Sequence, residues 1–190
     1  MKTQIKIIKH LLENKEKPIS IRDISKNLNI DYKNTHNIIR NLSDNNIVST
    51  QKIGKSNIIS LNKKLTPLLF ETEHERKQEL LKNKNLKILY NKLTSLQFLL
   101  ITLIFGSFAK NKQTKNSDID LMMISEKNRE REIQQTISIL PLNIHLSFFT
   151  YEEFTNMLES KKFTVVSEAI KNNIILMGIE DYYRLIENVR

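Results

Sequence analysis

The segment "FGSFAKNKQTKNSDIDLMMIS" (105–125) sets Gly106 and Ser107 ahead of Asp118 and Asp120, two carboxylates separated by one isoleucine. A glycine lets the backbone come close to a phosphate, and a serine offers it hydroxyl and amide donors. Alternation along a strand turns Asp118 and Asp120 toward the same side. Two carboxylates in one small space repel, and one is driven toward protonation unless a cation joins them. Oxygen ligands of this hardness, too few to enclose an ion, suit Mg2+ or Mn2+ that keeps waters and also grips substrate phosphates. The segment thus combines a phosphate cradle with a metal mount.

These residues need strands to hold them. The run "FLLITLIF" (98–105) is continuously apolar, of strand length and bounded by Gly106, so it reads as a strand buried on both faces. "DIDLMMIS" (118–125) is a second strand, and "LNIHLSFF" (142–149) a third, with Asn143, His145 and Ser147 on one face and Ile144, Leu146 and Phe148 on the other. "EKNREREIQQTISIL" reads as a helix before the third strand and "TYEEFTNMLES" as a capped helix after it. The remainder gives a helix, a short buried run and a terminal helix in which Tyr182 and Tyr183 are packing residues.

At "FGSFAKNKQTKNSDIDL" the sequence resembles the nucleotidyltransferase superfamily of DNA polymerase beta, in particular its minimal members, over about residues 86–190. The resemblance implies a small mixed sheet flanked by helices and transfer of a nucleoside monophosphate from a nucleoside triphosphate to a hydroxyl, with two-metal chemistry. It implies that Gly106 and Ser107 hold the triphosphate, Asp118 and Asp120 bind Mg2+ (or Mn2+), and Ser117 flanks the site. Lys110 stands where the family often has arginine, and would meet phosphate as a point charge; Asn111 stands where it often has a second glycine. The family's third carboxylate belongs on the strand at 142–149, which has no acid, so Asn143 or His145 takes its place. A neutral imidazole at 145 suits metal binding or general-base work near pH 7; the plainer alternative is a polar residue on a half-exposed strand.

The first third is organised differently. Ile5, Ile8, Leu11 and Leu12 space as a helix before Pro18; Ser20 and Asp23 suggest a capping box for a second helix; a third runs from about Tyr32 to Asn45. Its inner face carries Thr35, Ile38, Ile39 and Leu42, and its outer face Lys33, Asn34, Asn37, Arg40 and Asn41. "IVSTQKI" and "NIISL" follow as a hairpin around Gly54. Three helices and a hairpin resemble a winged helix-turn-helix domain, which implies that the third helix reads the DNA major groove while Lys52 and Lys55 of the wing meet phosphates. Asn46 sits where such domains often have glycine, a position asparagine tolerates.

The expected organisation is therefore α+β: a winged helix-turn-helix at 1–62, a long connecting helix at 63–97, and a polymerase beta-like nucleotidyltransferase domain at 98–190. The connecting segment starts at Thr66 and Pro67, and its middle, "ETEHERKQE", is polar all round, which suggests a solvated spacer. Leu68, Leu69 and Phe70 are candidates for packing against a second copy, giving a homodimer suited to two-fold DNA sites.

Formal net charge is +9, with 11 Lys+Arg against 5 Asp+Glu over residues 1–62 and 19 against 16 over 63–190, so the basic excess sits where DNA would bind. Cysteine is absent, which excludes a disulfide framework and thiolate metal sites. No apolar run is long enough to span a bilayer, and the expected setting is cytoplasmic, with double-stranded DNA, a nucleoside triphosphate and a protein or RNA acceptor as partners. Two function classes stay open. One is a transferase modifying a protein or RNA hydroxyl; the other is an inactive fold that senses nucleotide, regulates transcription or acts as an antitoxin-like partner. For the N-terminal segment, replacing Arg40 and Lys55 together by alanine is expected to weaken duplex binding about tenfold or more and to flatten its salt dependence, read by fluorescence anisotropy across a salt series.

Overall fold

A computed structural model describes residues 1–54, 56–114, 117–160 and 164–187. The apolar stripe of the first segment closes into α1 (Lys2–Glu13), burying Ile5, Ile8, Leu11 and Leu12. Ser20 accepts from the Asp23 amide, and Asp23 accepts in return from the Ser20 amide, so the expected capping box starts α2 (Ile21–Leu28). Asn29 then turns into the left-handed region (φ 51), and Asp31 caps α3 (Tyr32–Asp44), which buries Thr35, Ile39 and Leu42.

The wing is β2 (Val48–Ile53) against β3 (Ser56–Leu61), in register from Val48↔Leu61 to Ile53↔Ser56. A two-residue strand, β1 (Ile19–Ser20), pairs with the other edge of β3 and gives the order β1-β3-β2. Gly54 has φ 58 with open space around its α-carbon, so the turn itself demands glycine there. Asn46 takes φ 55, the conformation its amide tolerates. Three helices, a short pairing strand and the wing make this unit a winged helix-turn-helix.

The chain divides into two units, Met1–Thr72 and Glu73–Arg190, within α4 (Pro67–Leu80). Of the two arrangements this segment allows, one long helix or two abutting ones, the second forms, because Asn83 accepts from the amides of Asn85 and Leu86 and starts α5 (Lys84–Leu93) afresh. The polar middle of α4 is not the solvated spacer its composition suggests. Glu73 and Arg76 are buried, with Arg76 Nη1 2.6 Å from Glu73 Oε2. Tyr183 donates to Glu73 Oε1 at 2.7 Å, and Arg76 Nη2 donates to the Asn173 carbonyl at 2.7 Å. Leu69 is buried, Leu68 half-buried and Phe70 exposed.

The second unit holds a four-stranded sheet in the order β6-β5-β4-β7: β4 (Ile101–Ile104), β5 (Ile119–Ile124), β6 (Ile144–Phe149) and β7 (Ile174–Met177). β4 runs antiparallel to β5 and β7, while β5 and β6 are parallel. The first strand is shorter than the apolar run 98–105: Leu99 is 59% exposed, and its carbonyl accepts from the Ser125 hydroxyl. The helices are α6 (Gly106–Ala109), α7 (Glu130–Ser138) after a 3-10 turn at Lys127–Arg129, α8 (Tyr151–Glu159), α9 (Val165–Lys171) and α10 (Ile179–Glu187). One apolar cluster gathers Leu86, Leu89 and Leu93 of α5, Phe108 of α6, Ile133 and Ile137 of α7, and Ile119, Leu121 and Met123 of β5. Tyr182 and Tyr183 pack edge to face at 5.5 Å between centroids, and burial pushes both phenols above their ordinary pKa.

Removing one partner of a buried ion pair leaves the other charge without compensation. Arg76→Ala is accordingly expected to destabilise the second unit by about 3–5 kcal/mol, measured by urea denaturation of the full chain.

Candidate functional site

The central ladder fixes the geometry. β4 pairs with β5 through Ile104↔Leu121, and the Phe105 amide extends the ladder by donating to the Asp120 carbonyl at 3.1 Å. The chain then turns into α6 at Gly106, whose φ is 64. A Cβ built on Gly106 would stand 2.8 Å from Asp120 Cγ and nearer still to Oδ2. Glycine is therefore required twice over, by the left-handed backbone and by the carboxylate lying against it.

On the other side, the parallel register sets Asp120 opposite His145, and His145 Nδ1 lies 3.5 Å from Asp120 Oδ1. The imidazole is 69% exposed and the carboxylate 28%, so the pair faces solvent and any incoming substrate. Asp118, immediately before β5, is exposed. The structure thus brings Gly106, Asp120 and His145 together. Among the described residues, no three His, Cys, Asp or Glu side chains group as a closed metal site.

Three residues expected to line the site have local partners. Ser117 accepts from the Thr114 amide at 2.8 Å, with its hydroxyl 3.1 Å from that of Thr114, so it closes the loop ahead of Asp118. Lys110 Nζ lies 3.4 Å from Glu168 Oε1 of α9, an exposed pair. Ser107 is half-buried in the first turn of α6, and its carbonyl accepts from the Lys112 amide. Asn111 adopts φ 52, which explains how asparagine serves where glycine is frequent. Glu168 was beyond sequence reasoning, since 58 residues separate it from Lys110 and no pattern links them.

A divalent cation fits this donor set only as an open mount. The oxygens of Asp118 and Asp120 are hard ligands, Asp120 lying against the Gly106 backbone and Asp118 exposed just ahead of β5; Mg2+ completes its shell with waters and phosphate oxygens in such settings.

Residues 102–172 match the nucleotidyltransferase domain family. This segment is a nucleotidyltransferase domain. The chain is 35% identical over 79 residues to a Methanocaldococcus jannaschii protein named as a protein adenylyltransferase, an alignment that spans 41% of this chain and 66% of that protein. Among solved structures, MepR, a transcription regulator of the Staphylococcus aureus multidrug efflux pump MepA, aligns with 19% identity, 49% of this chain, 76% of that chain and a TM-score of 0.36. The adhesin competence repressor AdcR of Streptococcus pyogenes aligns with 20% identity, 50% and 78% coverage and a TM-score of 0.35. The nucleotidyltransferase domain so placed contains Gly106, Ser107, Lys110, Ser117, Asp118, Asp120 and His145.

In the winged helix, Lys33, Asn34, Asn37, Arg40 and Asn41 are all exposed on α3, and Lys52 is exposed on β2. Asn41 accepts from Gln4 of α1 at 3.1 Å, and Asn34, Asn37 and Asn41 line a groove of about 370 Å³ beside that helix. Lys55 lies outside the described residues. Among the described residues no helix is long and apolar enough to cross a membrane.

Gly106→Ala is expected to cost about 1–2 kcal/mol from the left-handed backbone alone, and more from displacing Asp120. The checks are a lowered melting temperature and loss of Mg2+-dependent triphosphate binding by calorimetry.

Proposed function

We propose that the chain is a DNA-binding nucleotidyltransferase that moves a nucleoside monophosphate from a nucleoside triphosphate to a protein or RNA hydroxyl. The observation that carries this reading is the fit of Asp120 against the glycine backbone at 106, with His145 beside it. The Methanocaldococcus relative, named for adenylyl transfer to protein, supports ATP as donor and a protein as acceptor.

In this reading the Gly106 backbone and the Ser107 hydroxyl receive the triphosphate, and Lys110 exchanges Glu168 for a phosphate oxygen. Asp118 and Asp120 hold Mg2+ or Mn2+, which supplies Lewis-acid charge stabilisation to the transferring phosphoryl group. His145 stands where the family carries its third carboxylate. Its imidazole accepts the proton of the attacking hydroxyl, while Asp120 orients the ring and stabilises the imidazolium that forms. The new bond joins the acceptor oxygen to the α-phosphorus, and pyrophosphate leaves. α3 and the wing bind double-stranded DNA through the exposed Asn, Arg and Lys side chains, and a homodimer matches two-fold sites.

A second reading is favoured by one feature. The position of the third carboxylate is an exposed histidine, which suits a protein that binds nucleotide without turnover and uses it to regulate transcription or a toxin-like partner. Incubation with labelled ATP, CTP, GTP or UTP and Mg2+, alone and with cell extract, separates the two. Transfer of label, reduced by more than about 100-fold in Asp120→Asn, is expected for the enzyme. Metal-dependent nucleotide binding with no transfer in any reaction identifies the sensor.

A further inference from the structure

We propose that a carboxamide-lined cleft at the end of β5 and β6 seats a nucleobase. The inference takes its ligand class from the nucleotidyltransferase reading and extends it to the recognition of the base. The cleft has a volume of about 540 Å³ and lies between the start of α5, the loop after α6 and the turn before β6. That size falls in the range of ligand clefts, about 300–1,000 Å³.

The chemistry of the walls selects the occupant. Four carboxamides, Asn83, Asn85, Gln113 and Asn143, open into the cleft. Asn83 Oδ1 is engaged in capping α5, whereas the side chains of Asn85, Gln113 and Asn143 make no hydrogen bond to the described residues. Each free carboxamide presents a donor pair and an acceptor, the set that complements the edge of a base. Phe108, Ile119 and Leu142 supply apolar surface for a ring. Among the described residues, the lining side chains carry no formal charge.

Position ties the cleft to the reacting groups. Phe108 directly follows Ser107, Ser117 directly precedes Asp118, and the Asn143 carbonyl accepts from the Ile119 amide at 2.8 Å. Ile119 is buried in the apolar cluster while its neighbour Asp120 lies against Gly106 and His145. Ile119 thus lines the cleft while the next residue along β5, Asp120, lies against Gly106, so the two share one strand end. The base belongs either to the donor triphosphate or to an RNA acceptor.

The test uses the full chain, Mg2+-free, titrated separately with adenosine, cytidine, guanosine, uridine and short single-stranded RNA, with the side-chain amide signals of Asn85, Gln113 and Asn143 followed by NMR. Saturable shifts with a nucleoside, weakened about tenfold in the Asn85→Ala/Gln113→Ala variant, assign the cleft to the donor base. The same shifts with RNA alone assign it to the acceptor. Absence of shifts with every ligand, or unchanged affinity in the variant, overturns the proposal. Mg2+-dependent binding of inorganic tripolyphosphate is measured in parallel. Its loss with nucleoside binding intact sinks the transferase reading while the cleft stands, and the reverse pattern sinks the cleft alone.

Discussion

The candidate site depends on a close approach that only glycine permits. The β4–β5 ladder brings the backbone at Gly106 and the carboxylate of Asp120 into a space with no room for another carbon. Once that contact is fixed, neighbouring positions follow. The left-handed turn at Gly106 starts α6 and places Ser107 in its first turn, and the parallel register of β5 and β6 sets His145 at the flank of Asp120. The site is thus a property of three strand ends, held by backbone pairing beneath a core that α5, α6 and α7 complete.

Much of this was legible because the signals are local. The period-two pattern located the strands, Ser20 and Asp23 announced their helix, and the Gly-Ser and Asp-x-Asp spacing pointed to the segment that the family match covers. Asparagines at 46 and 111 were recognisable stand-ins for glycine, and both take positive φ. What escaped were partners far apart in the chain. Glu73 and Tyr183 lie 110 residues apart, and a polar run on a helix looks identical whether its charges meet water or each other. The apolar run 98–105 overstates its strand for a related reason, since an exposed leucine at 99 carries the same letter as a buried one.

The histidine at 145 changes the character of the site more than its shape. A third carboxylate would add a fixed negative charge, whereas an imidazole brings ring nitrogens in place of carboxylate oxygens. Its neighbour Asp120 lies between the Gly106 backbone and the ring. Lys110 is likewise paired within the protein, with Glu168 of α9.

The buried charges of α4 bear on how such a domain could be inherited. Tyr183 and the Asn173 carbonyl near the C-terminal end of the chain find their partners at Glu73 and Arg76, upstream of both the recognisable motif and the matched segment. A recombination event that moved residues 102–190 without that helix would strand a phenol and a carbonyl in the protein interior. The smallest transferable piece therefore includes the second half of that helix, and its sequence is constrained from a distance by residues no motif search would connect to it.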